Sequence, residues 1–274
     1  MRHYFIAALA AVALSPVLAA PAQACSVVSS YRVPTNLELV EKAPLILRAR
    51  VVGEVEGEDA WDRALVVEPL EALKGVMPEG RIAISGNGLV PAEEGRGFGV
   101  LSNPYELADA HPLSYIGGCT RYMFPRGTTA LFFLAWRDGA WRGAGGPFSR
   151  WAEDVIEDDA PWTRLVRFYT KVAAAPEDAR AALLEAERAR LAALPDDPVA
   201  ALMAADIARQ LAGPNATWHE VMRGMMEGGM LSGSEAEAAA EAAAEAVRDA
   251  MLSDQPEPEA DAMEEAEEAA PPES

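Results

Sequence analysis

Hydrophobic and polar residues alternate in short runs through the first half of the chain. Residues 45–52 (LILRARVV) place Arg48 and Arg50 between apolar neighbours, which predicts a half-buried strand. Further runs rich in apolar, β-branched or aromatic residues predict more strands: 64–73, 81–85, 129–136 and 140–142. About five strands with no long helix between them predict a small closed or partly closed β-barrel.

Turn and cap residues separate these strands. The tetrapeptide 35–38 (TNLE) has the pattern of a helix-capping box and predicts a short helix that Pro44 ends. Asp138 and Gly139 predict a hairpin turn between the last two strands. Residues 86–118 are too long for a simple connection, so this glycine-rich stretch is either functional or mobile.

The apolar pattern changes to a helical period after residue 150. Residues 162–172 place apolar side chains three and four positions apart, which predicts a helix. Helix-starting sequences follow near Pro176 and Asp197, and residues 217–220 (TWHE) form a second capping-box pattern. Leu184, Leu191 and Leu194 are expected to mark the buried face of one of these helices. Short connections predict a small helical bundle docked on the barrel.

The charge is concentrated at the C-terminus. The chain carries 43 acidic and 23 basic residues, a net charge of −20. Residues 231–274 contribute −13 of this charge, and residues 25–230 contribute −8. A chain this acidic repels nucleic acid and anionic membrane surfaces, so neither is an expected partner. Within 231–274 an Ala/Glu-rich helix pattern is followed by a proline-containing acidic run. This run predicts a disordered tail, with a tether for divalent ions or a basic partner as the alternative.

The first 24 residues have the features of a secretory signal. Arg2 and His3 precede an apolar stretch, and residues 22–24 (AQA) match the small-x-small cleavage pattern. Cleavage after Ala24 produces an exported protein, periplasmic or secreted, that begins at Cys25. A lipoprotein is the less favoured alternative, because Ala22 and Gln23 depart from the usual residues before a lipidated cysteine. No later segment of the sequence has the length and apolarity of a membrane span.

The chain has two cysteines, Cys25 and Cys119. In an oxidising compartment the simplest arrangement is one intramolecular disulfide, with a lipidated Cys25 or an intermolecular bridge as alternatives. The bridge would close a loop of about 95 residues and contribute roughly 4–5 kcal/mol at most in the chain-entropy model.

These sequence features, in their order, resemble a known family. They are a cysteine at the mature N-terminus, a short helix, the run LILRARVVGEV, a strand ending in Leu73-Lys74-Gly75, and the pattern C-x4-F-x2-G-x3-LFF formed by Cys119, Phe124, Gly127 and residues 131–133. The segment resembles the netrin-like module of the tissue inhibitors of metalloproteinases, including its minimal bacterial relatives. The resemblance covers about half of the mature chain and implies an OB-type β-barrel with Cys25 tied to it.

The resemblance also implies a binding mode. In the inhibitors the N-terminal cysteine chelates the catalytic zinc of a protease through its amine and carbonyl, and Cys25 would supply those atoms here. The sequence departs from the inhibitors at Val27, where they have a second cysteine, and in having at most one disulfide. Metalloprotease inhibition is therefore an alternative function. If the protein is not an inhibitor, the expected disulfide only holds the N-terminus on the barrel.

Other side chains offer chemistry outside this resemblance. His219 precedes Met222, Met225, Met226 and Met230, which share one helical face. Imidazole and thioether ligands suit cuprous ion, whereas a methionine face is more typical of a core or an adaptable partner surface.

His111 stands in the long stretch and is expected to be a solvated loop residue, with a metal ligand or a base as the alternatives. The acidic cluster of Glu157, Asp158 and Asp159 has no evident partner acid and is expected at a helix start or in a loop. No HExxH, phosphate-binding glycine loop or GxSxG sequence is present. We therefore expect no enzyme activity and assign no catalytic, cofactor or metal residue.

The sequence divides into a signal peptide (1–24), a netrin-like OB-fold barrel (25–150), an α-helical region (151–230) and the acidic tail (231–274). We expect an exported, non-enzymatic interaction or scaffolding protein with an unidentified protein partner, a protease being one candidate. Handling of cuprous ion by the His/Met face is the second alternative.

Overall fold

The computed structural model of the chain describes residues 27–57, 62–90, 107–111, 114, 118–155 and 157–227. These residues form two compact units. The first contains residues 27–28 and 33–215, and the second contains residues 29–32 and 216–227. The predicted signal peptide and the predicted acidic tail lie outside the described residues.

The described residues of the first unit form eight strands. Their bounds are β1 (Leu45–Val55), β2 (Ala64–Lys74), β3 (Ile82–Ser85), β4 (Gly88–Leu89), β5 (Met123–Phe124), β6 (Thr129–Arg137), β7 (Ala140–Gly143) and β8 (Ala152–Asp154). Six of them form a mixed sheet in the order β1-β2-β3-β7-β6-β8, while β4 and β5 pair in parallel as a separate ribbon.

Hydrogen bonds join the sheet into a ring. β6 pairs antiparallel with β1 through residues 129–134, so the strand order β1-β2-β3-β7-β6 returns to β1. The pairing between β3 and β7 is parallel and consists of one residue pair, Ile84 with Trp141. All other neighbours in the ring are antiparallel and pair over at least four residues.

The predicted local signals are confirmed. The hydroxyl and backbone N–H of Thr35 form both halves of the capping box with Glu38 at the start of α1 (Asn36–Lys42). Asp138 and Gly139 both have positive φ, as a type I′ hairpin turn requires. Gly75 also has positive φ, and a Cβ there would lie 2.6 Å from the carbonyl oxygen of Pro44, so only glycine fits.

The remaining helices are α2 (Pro161–Ala174), α3 (Glu177–Ala192), α4 (Pro198–Leu211) and α5 (Trp218–Glu227). Helices α1–α4 belong to the first unit and α5 to the second. The second capping box is also present, since Thr217 and Glu220 exchange hydrogen bonds at the start of α5. None of the described helices combines the length and apolarity needed to cross a bilayer.

Each face of β6 contributes to a separate hydrophobic cluster. Ala130, Phe132 and Leu134 face the inside of the ring with the inward side chains of β1, β2 and β3. Leu131 and Phe133 face outward and pack with the buried residues of helices α1–α4. The ring centroid of Phe133 lies 5.7 Å from that of Trp162 on α2. The helices and the outward face of the sheet therefore share one hydrophobic cluster.

Several expectations need correction. The five predicted strands are β1, β2, β3, β6 and β7, and the described residues add three short strands, β4, β5 and β8, that are too short to show an alternating pattern. The first residues of β1, Leu45, Ile46 and Leu47, are buried on both faces rather than one, because helices cover the outer face. Leu194 is 42% exposed rather than buried because it lies two residues beyond the end of α3.

We predict that Phe133→Ala lowers the free energy of unfolding by about 3–5 kcal/mol, because it removes a buried ring that both layers contact. Helical circular dichroism and tryptophan fluorescence should shift to the same lower midpoint in urea. Val76→Ala, at a position between β2 and β3 that is 88% exposed, is the control and should change stability by about 0.5 kcal/mol or less. Separate midpoints for the two signals would contradict a shared core.

Candidate functional site

A short segment from the long 86–118 stretch is held down by buried side chains on both sides. We call residues 107–111 the strap. Its last residue, His111, donates its backbone N–H to the carbonyl oxygen of Phe148 at 2.8 Å. Ala110 forms an isolated antiparallel bridge with Ser149. The carbonyl oxygen of Ala108 accepts a hydrogen bond from Nη1 of Arg150 at 2.9 Å.

On one side of the strap lies an acid cluster centred on Asp206 of α4. The Asp206 carboxylate accepts hydrogen bonds from Nδ2 of Asn36 at 2.9 Å and from the hydroxyl of Tyr169 at 2.6 Å. Arg209, one turn further along α4, also donates to this carboxylate and to the carbonyl oxygen of Leu107. Side chains from three helices thus converge on one buried carboxylate and on the strap.

Asp109 of the strap completes the acid cluster. One of its carboxylate oxygens lies 3.8 Å from Nε of Arg209, and the backbone N–H of Asn36 also donates to the carboxylate. Burial, and then the negative charge of Asp206, raise the pKa of Asp109 to about 6. Burial likewise raises the pKa of Asp206, although the hydrogen bonds from Tyr169, Asn36 and Arg209 act in the opposite direction.

On the other side of the strap lie two buried ion pairs. Nε of Arg150 is 2.6 Å from a carboxylate oxygen of Glu153, and Nη2 of Arg121 is 2.8 Å from one of Asp154. All four side chains are at most 7% exposed. The guanidinium carbon of Arg121 also lies 4.4 Å from the ring centroid of Phe124, a cation–π distance.

His111 lies among these ion pairs and is only 1% exposed. The expectation of a solvated loop residue is therefore wrong, because the strap's backbone hydrogen bonds draw the side chain inward. Burial lowers the pKa of His111 to about 4, although the charge of Glu153 acts in the opposite direction. The imidazole is neutral at neutral pH and is shielded from solvent.

The arrangement anchors the strap. Most of its carboxylates and guanidiniums are buried and engage one another, while the Arg209 side chain is 43% exposed. Among the described residues, no group of three or more His, Cys, Asp or Glu side chains is placed to hold a metal ion. The cluster therefore fixes the strap against two layers of the first unit.

A different part of the first unit presents apolar side chains to solvent. Trp136 at the end of β6 is 59% exposed, and its ring packs edge-to-face on Trp141 of β7 at a centroid distance of 5.2 Å. Val76 and Met77, between β2 and β3, are 88% and 41% exposed. Because β3 and β7 run parallel, the turns that precede them lie at the same end of the ring. We call these four residues the apolar end.

The predicted disulfide involves one described residue. Cys119 lies in the bend before β5, and its carbonyl oxygen accepts a hydrogen bond from the N–H of Phe148 at 2.6 Å. Cys25 lies outside the described residues. The Cys25–Cys119 pairing and zinc chelation by the Cys25 amine therefore stay predictions.

The predicted His/Met face lies on α5. His219 and Met225 are exposed, the latter by 39%, and Met222 is half-buried. A simple core role is therefore wrong for Met225. Met230 lies outside the described residues, and cuprous binding stays a prediction.

The acidic cluster before α2 takes part in ion pairs. Asp158 contacts Arg48, Asp159 lies 3.3 Å from Arg167, and both arginines also contact Glu71 of β2. These groups link the outer face of the sheet to α2. Asp158 and Asp159 lie in the turn directly before α2, as expected, whereas the pairing of Asp158 with Arg48 spans 110 residues and has no local signal in the sequence.

Sequence reasoning also missed the strap and its two clusters. The available local signals were two spacings of three residues, between Arg150 and Glu153 and between Asp206 and Arg209. The partners that come from different elements are separated by 33 residues or more, as with Arg121 and Asp154, or Asn36 and Asp206. Comparison with known proteins gives no family: no protein-family model matches the chain, and a search of curated proteins finds no match either.

We predict that Arg150→Met destabilises the protein by about 3–5 kcal/mol, because it leaves the Glu153 carboxylate buried without its cation. The double variant Arg150→Met/Glu153→Leu should recover most of this loss in urea unfolding. Arg188→Met removes one partner of an exposed pair with Glu185 and serves as the control, with a loss of about 0.5 kcal/mol or less. Equal effects of the two single variants would show that Glu153 is not effectively desolvated.

Proposed function

We propose that the chain is an exported, non-enzymatic protein-interaction or scaffolding protein built on an OB-type, netrin-like barrel. The ring order β1-β2-β3-β7-β6 supports this fold, because an OB-fold is a five-stranded, partly open barrel. The single parallel pair between β3 and β7 is the partly open position of such a barrel.

The residues that carry the family resemblance have structural roles consistent with it. Phe124 and residues 131–133 are fully buried, and Gly127 has a positive φ that favours glycine. The short helix α1 leads directly into β1. A disulfide from Cys119 to Cys25 would then hold the mature N-terminus near β5, where the resemblance implies a binding segment.

The apolar end is the observation that carries the interaction function. Trp136 is a large aromatic side chain exposed to solvent, and its packing on Trp141 limits the rotamers that a partner would have to order. Tryptophan is among the residues most enriched at binding hot spots. Val76 is also exposed at this end of the ring, and a partner protein that covered it as well would bury more apolar area.

We predict that a photo-reactive amino acid at position 136 cross-links to a partner protein in cells that export the full chain. The same amino acid at position 183 is the matched control, because Leu183 on α3 is 41% exposed. Trp136→Ala should weaken binding of the purified partner by about 30-fold or more, the effect of a hot-spot residue. Leu183→Ala should leave that binding within about twofold.

Two outcomes would contradict a role for the apolar end in partner binding. One is an identical set of cross-linked proteins at positions 136 and 183. The other is unchanged affinity of the Trp136→Ala variant for the partner that cross-links at position 136.

We predict that the intact mass of the exported protein corresponds to residues 25–274 minus two hydrogen atoms. Reduction with a thiol should restore those two hydrogens, because the disulfide is expected within one chain. A Cys119→Ser variant is the control and should show no such mass change on reduction. An acylated Cys25 would contradict both the bridge and the chelation of a protease zinc by a free amine.

A further inference from the structure

Helix α5 carries an imidazole and thioethers that are not packed away as core side chains are. His219 is exposed, Met222 three residues later is half-buried, and Met225 is 39% exposed. By contrast, Met203 on α4 belongs to a hydrophobic cluster and is only 3% exposed. The imidazole and the two methionines of α5 therefore remain accessible from solvent.

The helical spacing makes these residues neighbours. Side chains three or four positions apart on a helix have Cβ atoms about 5–6 Å apart, and long side chains lie over the preceding turn. The thioether of Met222 is therefore within reach of an ion held by the imidazole of His219. In the next turn, Met225 and Met226 follow Met222 by three and four positions.

The first turn of α5, which carries His219, is fixed by contacts of its neighbours. The backbone N–H of Thr217 donates to Oε2 of Glu220 at 2.9 Å, and the N–H of Glu220 donates to Oγ1 of Thr217 at 3.3 Å. The N–H of Trp218 donates to the carbonyl oxygen of Tyr31 at 2.8 Å, and Trp218 is only 8% exposed. A backbone that is already ordered lowers the entropy cost of binding an ion.

The donor set determines which ion fits. Thioethers are soft ligands that select cuprous ion, and imidazole suits copper as well. Arg223 lies one turn after His219 and is exposed, and its positive charge repels a divalent ion more strongly than a monovalent one. The nearest carboxylate, that of Glu220, accepts the hydrogen bonds of the helix cap. These features favour a soft monovalent ion over a hard divalent one.

We propose that α5 binds a cuprous ion through the imidazole of His219 and the thioether of Met222, with Met225 or Met226 as the third ligand. The ion keeps its oxidation state, and no bond of the protein is broken. The site lies in the second unit, whereas the apolar end belongs to the first. Copper binding is therefore a function separate from the binding of a partner protein.

A competition titration of the full chain tests the site. The probe is cuprous ion alone, added under anaerobic conditions in the presence of the chelator bicinchoninate, whose cuprous complex is coloured. Free thiols are alkylated beforehand, because thiolates also bind cuprous ion. The wild-type chain should withdraw one cuprous ion from the chelator at higher affinity than the double variant His219→Gln/Met222→Leu.

Single variants identify the ligands. His219→Gln and Met222→Leu should each weaken binding by at least about 10-fold, the lower end of what is lost when even a group that only supports a metal ligand is removed. Leucine nearly conserves the volume of methionine, so the helix should keep its packing. Met123→Leu is the matched control, because Met123 on β5 is half-buried like Met222, and it should change the affinity by no more than about twofold.

The third ligand is tested by the double variant Met225→Leu/Met226→Leu, which should also weaken binding. Unchanged affinity in that variant would contradict a third thioether from the next turn. Equal affinities of the wild type and the double variant His219→Gln/Met222→Leu would overturn the proposal and would favour a partner surface for the methionines.

X-ray absorption at the copper edge provides a test that needs no variant. The copper-loaded wild-type chain should show both sulfur and nitrogen ligands, as the imidazole and thioethers require. Where His219→Gln folds, its copper should lose the nitrogen contribution. A copper environment with sulfur alone, or with neither sulfur nor nitrogen, would place the ion elsewhere and overturn the site on α5.

Discussion

The pairing of β6 with β1 is the constraint on which the first unit depends. It closes the strand order into a ring and places β6 between β1 on one edge and β7 and β8 on the other. The strand is then surrounded, because one face points into the ring and the other supports the helices. The uninterrupted apolar run 130–134 fits this position, since polar side chains would be buried on either face.

Features that depend on neighbouring residues could be predicted from the sequence. The capping boxes at Thr35 and Thr217 and the turn at Asp138 and Gly139 each require only a few adjacent positions. Strands such as β8 could not be predicted in the same way. Its three residues, AED, have no β pattern and become a strand only because β6 offers an unpaired edge.

The candidate site was harder to predict because its charged side chains are buried, whereas such side chains usually lie at the surface. Arg121 and Arg150 are fully buried, although arginine is rarely buried unless it is paired. Their carboxylate partners lie in β8, which itself is positioned by tertiary pairing. The burial of His111 also depends on tertiary contacts. The residues that anchor its strap come from α1, α4 and the segment before β8.

The single residue pair between β3 and β7 has a mechanical consequence. The other junctions of the ring extend over at least four residues, so the β3–β7 pair is its shortest junction. Opening this junction breaks few hydrogen bonds and leaves the antiparallel hairpins on either side intact. The circumference can therefore adapt to strain without global unfolding.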